Sequence, residues 1–177
     1  MKNEFSDAQI AEFLRRSYFT VDGLWFVKCE EQRGFDEAMA LDVAVWQVMS
    51  KIQARKAKSL LGTNGDSLEN LARCFQLKMA AEGYDADFAL DDSQFLITVR
   101  KCPWFEILRS SGRTNIAEAI ADGICANEFA GWTRELAPDA VFEMRKRLCV
   151  ESDNCETCEF AFTIPGDGTG KATSKTH

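Results

Sequence analysis

One histidine, His177, is all that the 177-residue chain contains, and it stands at the last position. A histidine-rich metal site, a Ser-His-Asp triad and a Cys-His pair are therefore excluded from the folded part. Chemistry has to come from cysteine, carboxylate, lysine, arginine or tyrosine. Cationic side chains are in deficit: 21 Lys and Arg against 28 Asp and Glu give a net charge of −7. A phosphate backbone or an anionic lipid surface demands the opposite balance, so no nucleic acid and no membrane is expected as a partner. Long apolar runs are missing too, and none approaches the roughly 20 residues that a membrane-crossing helix needs. Residues Met1 to Asp7 are polar and acidic-leaning, without the basic start and apolar stretch of a secretory leader. The expected location is the cytoplasm.

What the chain does have is core material. Its hydrophobic share of 46% with 13 Phe suits one domain with a single sizeable core. Seven cysteines in a reducing compartment read as thiols, metal ligands or small buried hydrophobes, with Cys29 and Cys74 as examples of the last.

The N-terminal half reads as helices. Ser6 with Gln9 forms a capping-box signature ahead of Ile10, Phe13 and Leu14. A second helix is expected from Thr20 to Arg33, with Val21, Leu24 and Trp25 on one face and Gly34 as its stop. The third is the most periodic: Ala38, Leu41, Val45, Val48 and Ile52 recur every three or four residues before Gly62. Its basic far end, with Arg55, Lys56 and Lys58, suits the negative pole of a helix and reads as a solvated surface. Asp66 or Ser67 then caps a fourth helix carrying Leu68, Leu71, Phe75 and Met79, closed by Gly83.

The period then changes to two. Ala86, Phe88 and Leu90, a turn at Asp91-Asp92-Ser93, and Phe95, Ile97 and Val99 predict a β-hairpin with one buried face. Pro103 ends the second strand and suits the first turn of a short helix. Thr114 is expected to cap a longer helix with Ile116, Ile120 and Ile124, running to about Leu136. Alternation resumes over Ala140 to Leu148 and again from Cys158 to Ile164. The expected fold is α+β: N-terminal helices, then a ββααββ unit whose four-stranded, mainly antiparallel sheet is covered by helices. Residues 1–164 form the domain and 165–177 a flexible tail rich in Gly, Thr, Ser and Lys.

Four cysteines punctuate the second half near element ends: Cys102, Cys125, Cys149 and Cys158, with Cys155 making a Cys-x-x-Cys pair with Cys158. Four thiolates brought together suit zinc, or an iron–sulfur cluster as the alternative. Buried unligated thiols with a redox-labile pair at a hairpin tip are the other reading. Cys149 falls by alternation on the polar face of its strand, so a bulge or turn after Leu148 must re-aim it, with Cys155 as its substitute. Glu128 lies three residues beyond Cys125 on the same helical face, placed either to take a proton from an activated water or to be solvated. Asp22 reads as a capping group or as a functional carboxylate. Trp25, Trp46, Trp104 and Trp132 read as core residues or as the lining of a ligand pocket.

The stretches Arg100-Lys101-Cys102-Pro103-Trp104, Ile124-Cys125-Ala126-Asn127-Glu128 and Cys158-Glu159-Phe160 resemble the L-2-amino-thiazoline-4-carboxylic acid hydrolase-like family. Val21 to Phe26, Gly34-Phe35-Asp36 and Ile52 to Arg55 resemble a little-characterised branch of it, and the likeness covers roughly residues 10 to 163. The architecture is also similar to vinyl-4-reductase-type small-ligand domains and to the Golgi-transport subunit fold. The resemblance implies hydrolytic opening of a cyclic C–N bond, with Glu128 as base and cysteines on a metal. Two positions depart from the pattern: Glu128 stands where the family usually has Asp, and Cys155-Glu156 and Cys158-Glu159 compete for one motif position. A closed four-thiolate site has no open position for catalysis. The second expectation is therefore a non-enzymatic small-ligand-binding or sensing domain with a structural cysteine–metal site. A homo-oligomer is expected by analogy with small acidic domains that associate through their helices.

Overall fold

The computed structural model describes residues 4–150 and 155–165. The expected tail from residue 166 on lies outside the described residues, as do the N-terminal three residues and the tip of the last hairpin.

The first helix, α1 (Asp7–Arg33), starts on the expected capping box: the Gln9 N–H donates to Ser6 Oγ at 3.2 Å, and the Ser6 N–H donates to Gln9 Oε1 at 2.8 Å. It runs unbroken through Thr20, where a separate helix was expected to begin. No proline interrupts Ser17 to Thr20, and a lone interior Gly23 costs only about 1 kcal/mol. Gly34, at φ 87°, turns the chain directly into α2 (Phe35–Leu61). The two helices form an antiparallel hairpin, with the Phe26 ring 6.1 Å from Phe35 and Gln53 Nε2 donating to Tyr18 Oη at 3.3 Å. Ser67 caps α3 (Leu68–Glu82) by accepting from the Asn70 N–H.

The sheet comprises β1 (Asp85–Leu90), β2 (Gln94–Lys101), β3 (Val141–Lys146) and β4 (Cys158–Thr163), in the order β1-β2-β4-β3, antiparallel throughout. The central pair sets Phe95 opposite Phe162, Ile97 opposite Phe160 and Val99 opposite Cys158, all buried. Phe75 of α3 stacks on these and, at 5.0 Å each, on Phe129 and Trp132. This aromatic block is the main core. A smaller one joins Phe26, Ala38 and Ile116.

Between β2 and β3 the chain forms α4 (Pro103–Ser110), a 3-10 turn (Thr114–Ile116), α5 (Ala117–Ile120), a π turn (Ala121–Cys125) and α6 (Ala126–Leu136). The short helix expected from Pro103 is α4, whereas one continuous helix was expected from Thr114 to about Leu136. Instead Thr114 opens the 3-10 turn without a side-chain cap, and the wide turn carries Gly123 against α2. A Cβ at Gly123 would meet the Met39 and Val43 side chains. β3 is shorter than the expected Ala140 to Leu148, because the chain turns after Lys146, with the Val150 N–H donating to the Arg147 carbonyl.

The apolar stripes that mark α1 and α2 most clearly in the sequence face outward. Val21, Leu24 and Trp25, and likewise Leu41, Val45, Val48 and Ile52, are exposed. Trp25 is thus not a core residue. The buried positions are the less conspicuous Phe26 of α1 and Ala38, Trp46, Ser50, Ala54 and Ala57 of α2.

Candidate functional site

A cavity of about 310 Å³ lies between the α1–α2 hairpin and the segment running from α4 to α6. Its walls are apolar for the most part, with Phe19, Phe26, Trp46, Trp104, Ile116 and Ile124 among them. Five ionisable groups interrupt that lining on its acidic side: Asp22 of α1, Asp42 of α2, Tyr84, and Cys125 and Glu128 from the two sides of the π-turn–α6 junction. Arg113 also lines it and pairs with Glu30 at 2.7 Å.

Behind Glu128 lies a buried ion-pair triad. The Lys78 ammonium donates to Glu82 Oε1 at 2.8 Å and stands 3.1 Å from Glu128 Oε1. All three side chains are buried. Glu82 is further fixed by the Trp104 indole N–H at 3.1 Å. The two carboxylates outweigh the cost of burying the ammonium, so Lys78 is held charged, its pKa above the ordinary value. One lysine balances only one of the two negative charges. Glu128 carries the surplus: burial pushes its carboxyl up to about 7, Glu82 adds to the rise, and Lys78 opposes it. Its Oε1 lies within ion-pair distance of Lys78 yet accepts no well-formed hydrogen bond.

Asp22 and Asp42 form the second polar feature. Burial raises Asp22 to about 6, with Glu82 adding and the facing Trp46 indole opposing. Burial likewise raises Asp42 to about 7, with neighbouring Asp22 adding and Trp46 again opposing. Neither carboxyl has an ion-pair partner among the described residues. Asp22 sits mid-helix, one turn from Tyr18 and from Phe26, so the capping role expected for it is corrected to a place in the cavity wall.

The expected cysteines come within electrostatic reach of one another. Cys102 follows β2 at the start of α4, where its buried thiol faces the N–H groups of Trp104 and Phe105 and the Tyr84 hydroxyl. Burial still raises it to about 11, and Cys149 contributes to the rise. Cys125, raised well above the ordinary value by burial, senses Cys102 and then Glu128 and Cys149. Cys158 contacts the Cys149 side chain and accepts from the Leu148 N–H at 3.3 Å; the Cys149 contact and burial push it far up. The turn from Arg147 to Val150, which starts ahead of Leu148, is what sets Cys149 against Cys158. Cys155 lines a separate shallow depression with Asp122 and Arg145. Raised pKa values mean neutral thiols, and no group of three or more Cys, His, Asp or Glu among the described residues is arranged to hold a metal ion. The donor set suits zinc chemically, but as placed these side chains form a thiol cluster rather than a coordination shell.

Sequence reasoning singled out Glu128, Cys102, Cys125, Cys149 and Cys158, and it missed Lys78, Glu82, Asp42 and Tyr84. The missed signal was helical phase. Lys78 and Glu82 fall on the same face of α3 as Leu71, Phe75 and Met79, and Asp42 lies one turn from both Ala38 and Trp46. A charged residue on an apolar face is either buried with a partner or faces a cavity. Among the described residues no helix is long and apolar enough to cross a membrane.

No curated protein and no solved structure matches the chain. Residues 4–164 match the model of a family described as a family of unknown function (DUF6125). That match spans most of the sequence, and the chain belongs to this family.

Proposed function

We propose that this protein binds a small organic molecule in the cavity between the helical hairpin and the α4–α6 segment, and that Glu128 acts on it as a general base. The observation that carries the reading is the buried Glu128 carboxyl, paired with Lys78 behind it and set in the wall of a mostly apolar cavity that Asp22 and Asp42 also line. A carboxyl poised near pH 7 is half ionised under neutral conditions, which is where a general base works best. Asp22 and Asp42 favour a ligand with a cationic or proton-donating head, because such a head supplies the counter-charge they lack. Apolar walls suit a small hydrocarbon or thioether body.

A cyclic amidine has these properties, and the likeness of the Cys102-Pro103-Trp104 and Cys125-to-Glu128 stretches to thiazoline-carboxylate hydrolases suggests the reaction. Water adds to the amidine carbon as Glu128 takes its proton. The cyclic C–N bond then breaks, and the proton passes to the departing ring nitrogen.

The test is incubation of the purified chain with 2-amino-thiazoline-4-carboxylate, following ring-opened product by chromatography, with Glu128→Gln in parallel. Turnover that falls at least about 100-fold in the variant, within the usual worth of a general base, supports the hydrolase reading. Saturable binding without turnover supports a ligand-binding or sensing domain instead. Absence of both removes the proposal for this ligand class.

A second reading rests on Cys102, Cys125, Cys149 and Cys158 lying within electrostatic reach of one another, with Cys149 against Cys158. Zinc would require these thiols to deprotonate and close into a tetrahedral shell, pinning the last hairpin to the sheet. Elemental analysis of the purified chain separates the outcomes. About one zinc per chain supports it, iron with sulfide points to a cluster, and neither removes it.

A further inference from the structure

The α1–α2 hairpin has two apolar faces, and only one of them is covered by other described residues. The second face of α1 carries Phe13, Leu14, Val21, Leu24 and Trp25, opposite buried Phe26; Phe13 is 70% exposed and Trp25 65%. The second face of α2 carries Leu41, Val45, Val48 and Ile52, opposite Trp46, Ser50 and Ala54. Their spacing of four, three and four is that of a helix–helix seam. Trp25 and Leu41 line one shallow groove, so the two stripes join into a single surface. Nine large apolar side chains, 47–70% exposed, stand on that surface. A contiguous apolar face of this kind marks an interaction site.

The charges of α2 say what covers it. Asp36 and Glu37 lie at its start, and Lys51, Arg55, Lys56 and Lys58 lie towards its end. Turned end for end about a point between Val45 and Val48, the helix sets Leu41 against Ile52, Val45 against Val48, and Glu37, which meets Arg33 in its own chain, against Lys56; Arg55 is held by Glu135. Acid then meets base at both ends of the seam, whereas a parallel arrangement stacks like charges. Neither Lys51 nor Lys56 has an ion-pair partner among the described residues. A surface that complements its own reversed copy is what a two-fold interface requires.

We propose that this face binds a second copy of the chain about a two-fold axis crossing α2 between Val45 and Val48. Helix α2 packs antiparallel on its counterpart, and α1 flanks the seam on each side. The inference is independent of what the cavity binds.

Light scattering on the eluting full-length chain at tens of micromolar tests it. The expected mass is twice the 19.9 kDa of one chain. Val45→Glu with Val48→Glu should return the single-chain mass while leaving the far-ultraviolet circular dichroism unchanged, since both positions face solvent within one chain. Should that variant fail to fold, cross-linking decides. Leu41→Cys with Ile52→Cys should give a covalent dimer on mild oxidation, absent from the wild type. Leu41→Cys alone should not, because two-fold copies of that residue lie about 16 Å apart at 1.5 Å rise per residue. A single-chain mass for the wild type, a dimer that persists in the folded double-glutamate variant, or failure of the paired cysteines to link overturns the proposal.

Discussion

Asp22, Asp42 and Glu128 behave oppositely to ordinary surface carboxylates. Each is raised by burial, to about 6, about 7 and about 7, from ordinary values near 4. Between roughly pH 4 and pH 7 the folded state keeps protons that the unfolded chain has released. Stability therefore falls as pH rises through that window, and above it the full cost of three buried negative charges is present. Thermal melts should show a higher Tm at pH 5.5 than at pH 8. Asp42→Asn should flatten the slope and raise the Tm at pH 8 by a few degrees, about 2–4 °C for each kcal/mol in a chain of this size. A wild-type Tm that climbs from pH 5.5 to pH 8 would contradict the burial assigned to these groups. Glu128 was legible in the sequence because it stands one helical turn beyond Cys125. Asp22 was noticed as a capping group or a functional carboxylate, but Asp42 was not, since its neighbours on the buried face are spread through a helix whose more conspicuous apolar residues point elsewhere.

At the scale of elements, the contact between α2 and α6 depends on one small residue. A Cβ added to Gly131 would lie 2.4 Å from Ser50 Oγ and 2.9 Å from Ser50 Cβ, closer than atoms pack. The Ser50 side chain is buried and cannot swing clear. Gly131→Ala should therefore cost about 1–3 kcal/mol, the usual penalty of overpacking, despite its gain in helix propensity. Chemical denaturation measures this, and a stabilised variant would mean the helices can separate without loss. The strands, α3 and the start of α1 were legible because alternation, caps and glycine stops agree there. The break between Arg113 and Cys125 was not. A π turn and a 3-10 turn preserve the approximate spacing of Ile116, Ile120 and Ile124 and leave no local mark in composition. The outward stripes of α1 and α2 were legible as stripes, yet periodicity gives an apolar face and not the body that covers it.

For the whole molecule, the α+β architecture and its antiparallel sheet match the sequence pattern, because helical and strand periods each persist over most of an element. The site was only partly legible, since it is assembled from α1, α2, α3 and the α4–α6 segment, and convergence over such separations is set by packing. The buried carboxyls reach into a property measured without opening the fold. A pI of 4.9 follows from composition when every acid titrates as it does in a free chain. At that pH the unfolded molecule has Asp22 and Asp42 almost fully ionised and Glu128 mostly so, whereas the folded molecule holds all three neutral. The acids held low, Asp85, Asp91 and Glu135, are largely ionised at that pH in either state and offset little of this. Folding thus removes between two and three negative charges near the isoelectric point. In a focusing gradient the native protein should come to rest at a higher pH than the same chain in urea. Coincident bands would mean that these side chains meet water in the native state, and the electrophoretic gap reads directly how many protons the interior holds.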